Sequence, residues 1–177
     1  MRRILLMVVL GSLLLTGCSS QQPALKVQNL LNKEKTTPDS SFDVKSITPT
    51  ELHSMTIVNK NGNPITFNKT QPILFEAYWC PHCQRTLLLL SSGQSKLKNP
   101  PVIVSTGFPK NTSLKEAVAT SKKEFKMLGI TGFKVYYALK ENKKLITGFP
   151  TLVFTMHSRR VKLVGEHTFS VWKKALS

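Results

Sequence analysis

"FEAYWCPHC", residues 75–83, is the stretch on which the reading of this chain turns. Two cysteines, Cys80 and Cys83, stand three apart with Pro81 and His82 between them. Upstream, "PILFEAYW" (72–79) is a short apolar run entered through Pro72 and reads as a buried strand. Downstream, "CQRTLLLLSS" (83–92) reads as a helix that starts at the motif. Cys80 then stands at a helix N-terminus, where unpaired N–H groups and the macrodipole favour negative charge. A thiolate is the nucleophile in thiol–disulfide exchange, so this placement activates Cys80. Cys83, about one turn further in, is near enough to close a disulfide and is the more buried of the two. Cys80 would attack a partner, and Cys83 would resolve the mixed disulfide. His82 can give a hydrogen bond or positive charge to the same thiolate. That stabilises the reduced pair and makes its disulfide a stronger oxidant.

Other uses of the pair fit less well. Structural zinc needs about four ligands, usually from two such knuckles, and this chain has one. His53, His157 and His167 show no ligand spacing and read as surface residues, so no metal site is expected. Covalent haem attachment needs a histidine after the second cysteine, but residue 84 is glutamine. A copper carrier would need a histidine and methionine pattern that is not seen. A purely structural disulfide across so short a loop stabilises little. Ser105 and Thr106 have no base nearby in sequence, which leaves hydrolase chemistry unsupported.

The rest of the chain builds around the motif. "MTIVNKNGNPITFN" (55–68) has two extended runs about Asn61-Gly62-Asn63, a hairpin turn, and order is expected to begin near Thr50. "PPVIVSTG" gives a second buried strand from about Val102 to Ser105. "SLKEAVATSKKEFKML" (113–128) reads as a helix with a capping box at Ser113 and Glu116. Its inward face is expected to carry Leu114, Ala117, Val118, Phe125 and Leu128. "FKVYYAL" (133–139) alternates like a strand, "FPTLVFTM" (149–156) is a strand entered through a proline, and "RRVKLVGEH" (159–167) is its hairpin partner. "TFSVWKKAL" (168–176) closes the chain as a helix with Phe169, Trp172 and Leu176 inward. Strand–helix–strand alternation implies parallel strands covered by helices, an α/β fold with a central mixed sheet and an N-terminal β-hairpin.

The chain has 177 residues, enough for one domain with a real core. It opens "MRRILLMVVLGSLLLTGCSS", a positive n-region and an apolar run from Ile4 to Leu15 that is short for a membrane span. Leu15-Thr16-Gly17-Cys18 resembles the bacterial lipobox. That resemblance implies a signal peptide at residues 1–17, cleavage before Cys18, and a diacylglycerol on its thiol. Of three cysteines, Cys80 and Cys83 then remain as a pair, outside the cytoplasm where disulfides persist. Residues 18–46 read as lipidated cysteine and flexible tether, and 47–177 as the domain. Without Arg2 and Arg3 the chain keeps 23 basic against 9 acidic residues, a net charge of +14. That suits anionic headgroups or wall polymers. The lysines are spread along the chain rather than gathered with aromatics, so no nucleic-acid partner is expected.

The two motifs together resemble the thioredoxin superfamily, over roughly residues 55–177. "FEAYWCPHC" looks like its active-site strand and helix start, and "GFPTLVF" (148–154) like its cis-proline loop. The hairpin ahead of the catalytic strand is similar to the membrane-tethered TlpA and ResA-like branch, while Pro81-His82 is the dipeptide of DsbA-type oxidants. The resemblance implies a thioredoxin-like fold and a thiol–disulfide oxidoreductase with no cofactor beyond a redox-active Cys80–Cys83 disulfide. Pro150 would be the cis-proline, and Trp79, Phe149 and Thr151 would join it in binding an extended substrate peptide. Many members carry an acid six residues before the first cysteine as proton acceptor for the second; here that residue is Leu74. Glu76 shares its strand face and could take over that role, or could pair with a lysine at the rim. Partners would be protein thiols and disulfides, a membrane redox partner, and the bilayer through Cys18. The activity would be that of an oxidant or isomerase for secreted proteins, a reductase for thiols such as those of apocytochrome c, or none in a tethered binding module.

Overall fold

The computed structural model describes residues 36–177. The expected signal peptide, Cys18 and the first part of the expected tether lie outside the described residues. Strands β1 (Lys45–Ser46), β2 (Ile73–Ala77), β3 (Val102–Thr106), β4 (Val135–Tyr137), β5 (Thr151–Met156) and β6 (Arg159–Val164) form one mixed sheet in the order β1-β6-β5-β2-β3-β4. Helix α1 (Pro49–His53) precedes β2; α2 (Pro81–Ser92) joins β2 to β3, α3 (Leu114–Leu128) joins β3 to β4, and α4 (Phe169–Ala175) ends the chain. β2, β3 and β4 run parallel, and β5 returns antiparallel on β2. None of the helices among the described residues is long and apolar enough to cross a membrane.

The sheet sorts its side chains by alternation. From β2, Leu74 enters a core with Leu87 and Leu90 of α2, Leu128 of α3 and Trp172 of α4. Ile73 and Phe75 point to the opposite face, where Ile47, Ile57, Leu145 and Ile146 cover them. All five residues of β2 are buried, as are all five of β3. That explains why both read as continuous apolar runs in the sequence. The β5–β6 hairpin turns through His157 and Ser158, both at positive φ (48° and 63°), the geometry of a two-residue primed turn.

Four expectations need correction. Order begins well before Thr50, because the segment read as the end of the tether is docked. Asp39 bridges to His167, its N–H donates to Glu166 O at 2.8 Å, and Lys45–Ser46 pairs with β6. Phe42 and Val44, alternating in "FDVKS", pack on the helix-side core. The expected hairpin is minimal: one bridge, Val58–Pro64, with the Asn59 side chain accepting from the amides of Asn61 and Asn63 at 2.9 and 3.1 Å. His167 is buried rather than on the surface, edge-on to Trp172, with its Nε2 3.1 Å from the Val164 carbonyl. The capping box of α3 forms as expected, but its buried stripe is Ala117, Ser121, Glu124 and Leu128, with two polar members.

Candidate active site

β2 ends at Ala77, and the chain turns through Tyr78 and Trp79 to deliver Cys80 as the N-cap of α2. The Cys80 N–H donates back to Ala77 O at 2.9 Å, closing the turn. Pro81 occupies the first helical position, where its missing N–H costs nothing. Cys83 lies one turn in, fully buried, and the Ala77 N–H reaches its Sγ at 3.5 Å. Both cysteines are thiols, Cys80 at 4% exposure.

The two sulfurs are driven in opposite directions. The neighbouring Cys83 thiol, the Cys83 and His82 backbone amides and the His82 charge bring the Cys80 thiol down to about 6, against the opposing pull of burial. Burial, the Cys80 sulfur and Glu76 push the Cys83 thiol well up. The site therefore holds a thiolate at its mouth and a protonated thiol behind it.

His82 contributes differently from expectation. Its Nδ1 meets Glu166 Oε2 at 2.8 Å, and Arg85 closes the other side of the same carboxylate at 2.7–3.1 Å. Burial raises the Glu166 carboxyl, but Arg85 and His82 outweigh it and hold it below its usual range. The imidazole is thus anchored to a carboxylate, and its charge is the smallest of the influences on Cys80, behind the two backbone amides. His82→Ala is accordingly expected to raise the Cys80 midpoint by less than about one unit, read from thiolate absorbance against pH. A shift to the ordinary thiol range would assign the imbalance to the ring instead.

The second motif lies where the resemblance implied. The Phe149–Pro150 peptide bond is cis, Pro150 is buried, and Phe149 packs on the cluster of Ala77, Cys80 and Cys83. Trp79 is 56% exposed and stands edge-on to Phe149 with ring centroids 5.9 Å apart. Its Nε1 donates to Gly107 O at 2.8 Å. Gly107 has φ +70°, and a Cβ there would fall 2.8 Å from that of Ala77, so glycine is required beside the motif. Trp79 and Phe149, expected as a lip for substrate, stand together beside the cysteine cluster. Thr151, expected beside them, is instead fully buried, and its hydroxyl donates to Gly148 O at 2.6 Å, holding the proline loop.

Glu76 is fully buried, which decides against a lysine partner at the rim. Neither of its carboxyl oxygens has a hydrogen-bond partner. Burial first, then Glu124, raise its carboxyl well above the usual range, with a smaller push from Cys80; the Ser105 hydroxyl pulls the other way without reaching hydrogen-bond geometry. Glu124, which sequence reasoning missed, is 4% exposed and equally unpartnered. Burial lifts it to about 7 against the opposing pull of Gln84, with a smaller push from the Cys80 charge. The signal was present in the sequence: Glu124 falls on the same helical face as Ala117 and Leu128. Glu166 and Arg85 were missed because their partnership joins positions 81 residues apart.

No family model and no curated protein matches the sequence. Among solved structures, a thioredoxin-related protein from Neisseria meningitidis serogroup B is similar at 12% identity and TM-score 0.49, over 68% of this chain and 95% of that one. A secreted Mycobacterium tuberculosis disulfide oxidoreductase homologous to Escherichia coli DsbE matches at 14% identity and TM-score 0.47, over 72% and 96%. A thio-disulfide isomerase from Thermus thermophilus matches at 15% and 0.47, over 80% and 95%.

Proposed function

We propose that this chain is a thiol–disulfide oxidoreductase of thioredoxin-like fold, lipid-anchored at Cys18 on the extracytoplasmic side of a bacterial membrane, and that it works chiefly as an oxidant of protein thiols. The observation that carries the reading is the opposition of the two sulfurs: a thiol held down to about 6 at the N-cap of α2, and a raised, buried thiol one turn inward. In the oxidant direction a substrate thiolate attacks Cys80 of the Cys80–Cys83 disulfide, and Cys83 leaves and is protonated by Glu76. A second substrate thiolate then attacks the substrate sulfur of the mixed disulfide, and Cys80 departs as a stabilised thiolate. Trp79, Phe149 and Pro150 would hold the substrate backbone across the sulfurs. A membrane redox partner would return the pair to its disulfide.

A second reading is favoured by the buried carboxyls. Negative charge at Glu76 or Glu124 opposes the thiolate, and that weakens the reduced form and favours a reductase, such as one serving apocytochrome c thiols. The reduction potential of the Cys80–Cys83 pair decides. A value near about −120 mV supports the oxidant, and one near about −270 mV or below the reductase. A pair that exchanges with neither a thiol nor a disulfide substrate would leave only a tethered binding module. The anchor is tested separately by Cys18→Ser, which should release the chain from membranes. From Cys18 to docked Asp39 the tether could reach at most about 70 Å.

A further inference from the structure

Glu76 is not alone in its pocket. It stands on β2 opposite Ser105 of β3. The Ser105 hydroxyl accepts from Ser121 of α3 at 2.7 Å, and Glu124 is one turn along the same buried face of α3. A polar seam therefore crosses the helix-side core, from the sulfurs through β2 and β3 to α3. Its two carboxyls are the buried acids without partners among the described residues. Removing two carboxyls from water without pairing either is costly, and two adjacent anions there cost more. The pair therefore holds at least one proton. The seam also has a direction. Glu76 is fully enclosed beside Cys83, while Glu124 is slightly exposed and neighbours Gln84. The Gln84 side chain in turn donates to Tyr78 O at 2.7 Å in a part-buried position on the way to solvent. The groups facing the two carboxyls are Cys80, Cys83 and Gln84 from α2 and its N-cap, Ser105 from β3, Ser121 from α3 itself, and Tyr137 from β4, whose phenol burial and Glu76 raise. No lysine or arginine figures among them.

We propose that Glu124 is the outer member of a two-carboxyl relay that carries the proton of Cys83 between Glu76 and solvent. The inference rests on the exchange chemistry proposed above. When the reduced pair meets a substrate disulfide, Cys80 first forms the mixed disulfide and one substrate thiolate leaves. With the pair's one proton resting on Glu124, the Glu76 carboxylate takes the proton of the Cys83 S–H, and the Cys83 sulfur attacks Cys80. The Cys80–Cys83 bond forms as the bond from Cys80 to substrate breaks, and the second substrate sulfur leaves as a thiolate. The pair loses two electrons and the substrate disulfide gains them. Glu124 releases its proton to water at the Gln84 edge and takes the one now on Glu76, which restores the starting state. In the oxidant direction each step reverses, and Glu124 resupplies the proton that Glu76 gives to the departing Cys83.

The test uses the reduced full chain, with glutamate carboxyls labelled for carbon NMR, in wild-type, E124Q and E124D forms. The wild type should show two interdependent carboxyl titrations. In E124Q, Glu76 should titrate once and at lower pH, because its like-charged neighbour is gone. Single-turnover resolution of a mixed disulfide should slow by roughly tenfold or more at neutral pH, and E124D should recover most of the rate. A wild-type chain inert in exchange overturns the function and the relay together. An active wild type whose Glu76 titration does not move in E124Q, or whose E124Q form resolves at the wild-type rate, overturns the relay alone.

Discussion

Cys80→Ser should abolish disulfide exchange, and Cys83→Ala should arrest it halfway. At pH 7 a thiol with a midpoint of about 6 is roughly nine-tenths ionised, against a few per cent for a free cysteine. That enrichment, discounted for the lower nucleophilicity of an acidic thiol, is the site's whole means of attack. A serine hydroxyl at position 80 would not ionise, so activity should fall to the uncatalysed rate, a loss on the order of a thousandfold or more. Cys83→Ala leaves the attack possible and removes the exit. A covalent Cys80–substrate adduct should accumulate, visible as a mass increase that a reductant reverses. The same variant has a second signature. Cys83 is the leading cause of the low Cys80 midpoint. Alanine should therefore let Cys80 climb well above 6, while serine, whose hydroxyl still donates, should hold it lower. Equal midpoints in the alanine and serine forms would show that the helix end, not the partner sulfur, sets the Cys80 charge. Retained exchange in Cys80→Ser would remove the site itself.

Much of this site was legible because its parts are local in sequence. Cys80, Pro81, His82 and Cys83 share one helix start, and the strand before them announces itself by five consecutive buried residues. Pro150 was placed by the resemblance of residues 148–154 to a cis-proline loop, not by anything local in composition. What could not be read is what the tertiary fold alone brings together. Glu166 reaches His82 and Arg85 only because β6 ends beside α2 through the mixed sheet. The activation of Cys80 by the helix end was readable, but the leading share of the Cys83 thiol in it was not, because sequence does not show how the two sulfurs face each other. The docking of residues 39–46 was misread for a related reason. That segment is polar in composition, and its fixation comes from two apolar contacts, Phe42 and Val44, and an edge pairing with β6. Glu124 lies between the two cases: its place on the buried stripe was readable, but its neighbour on β2 was not.

Glu76→Gln should make the protein slower and more stable at once. The slowing follows from its place behind Cys83. With no group there to take the thiol proton, resolution should fall by about ten- to a hundredfold, while the first attack by Cys80, which needs no proton acceptor, is unchanged. Rapid-quench separation of the two steps would show it. The stability gain has a definite sign. The Glu76 carboxyl in the folded chain titrates well above the 4.5 ordinary for a glutamate. Between those two midpoints the folded state keeps a proton that the unfolded state has released. Stability from this group is thus complete below about 4.5 and is lost as pH rises through the folded midpoint. In that window one proton changes the unfolding free energy by about 1.4 kcal/mol per pH unit. Glutamine fills nearly the same volume and does not titrate, so the variant should lose that share of the slope and exceed the wild type at neutral pH. Denaturant unfolding at several pH values between 5 and 8 measures it. A wild-type strand that tolerates glutamine with neither a slower resolution nor a flatter pH profile would mean that Glu76 is a passenger. Both effects together would explain why an unpartnered acid sits in the middle of an otherwise apolar strand: its instability at neutral pH is the same property that lets it take and return a proton beside a buried sulfur.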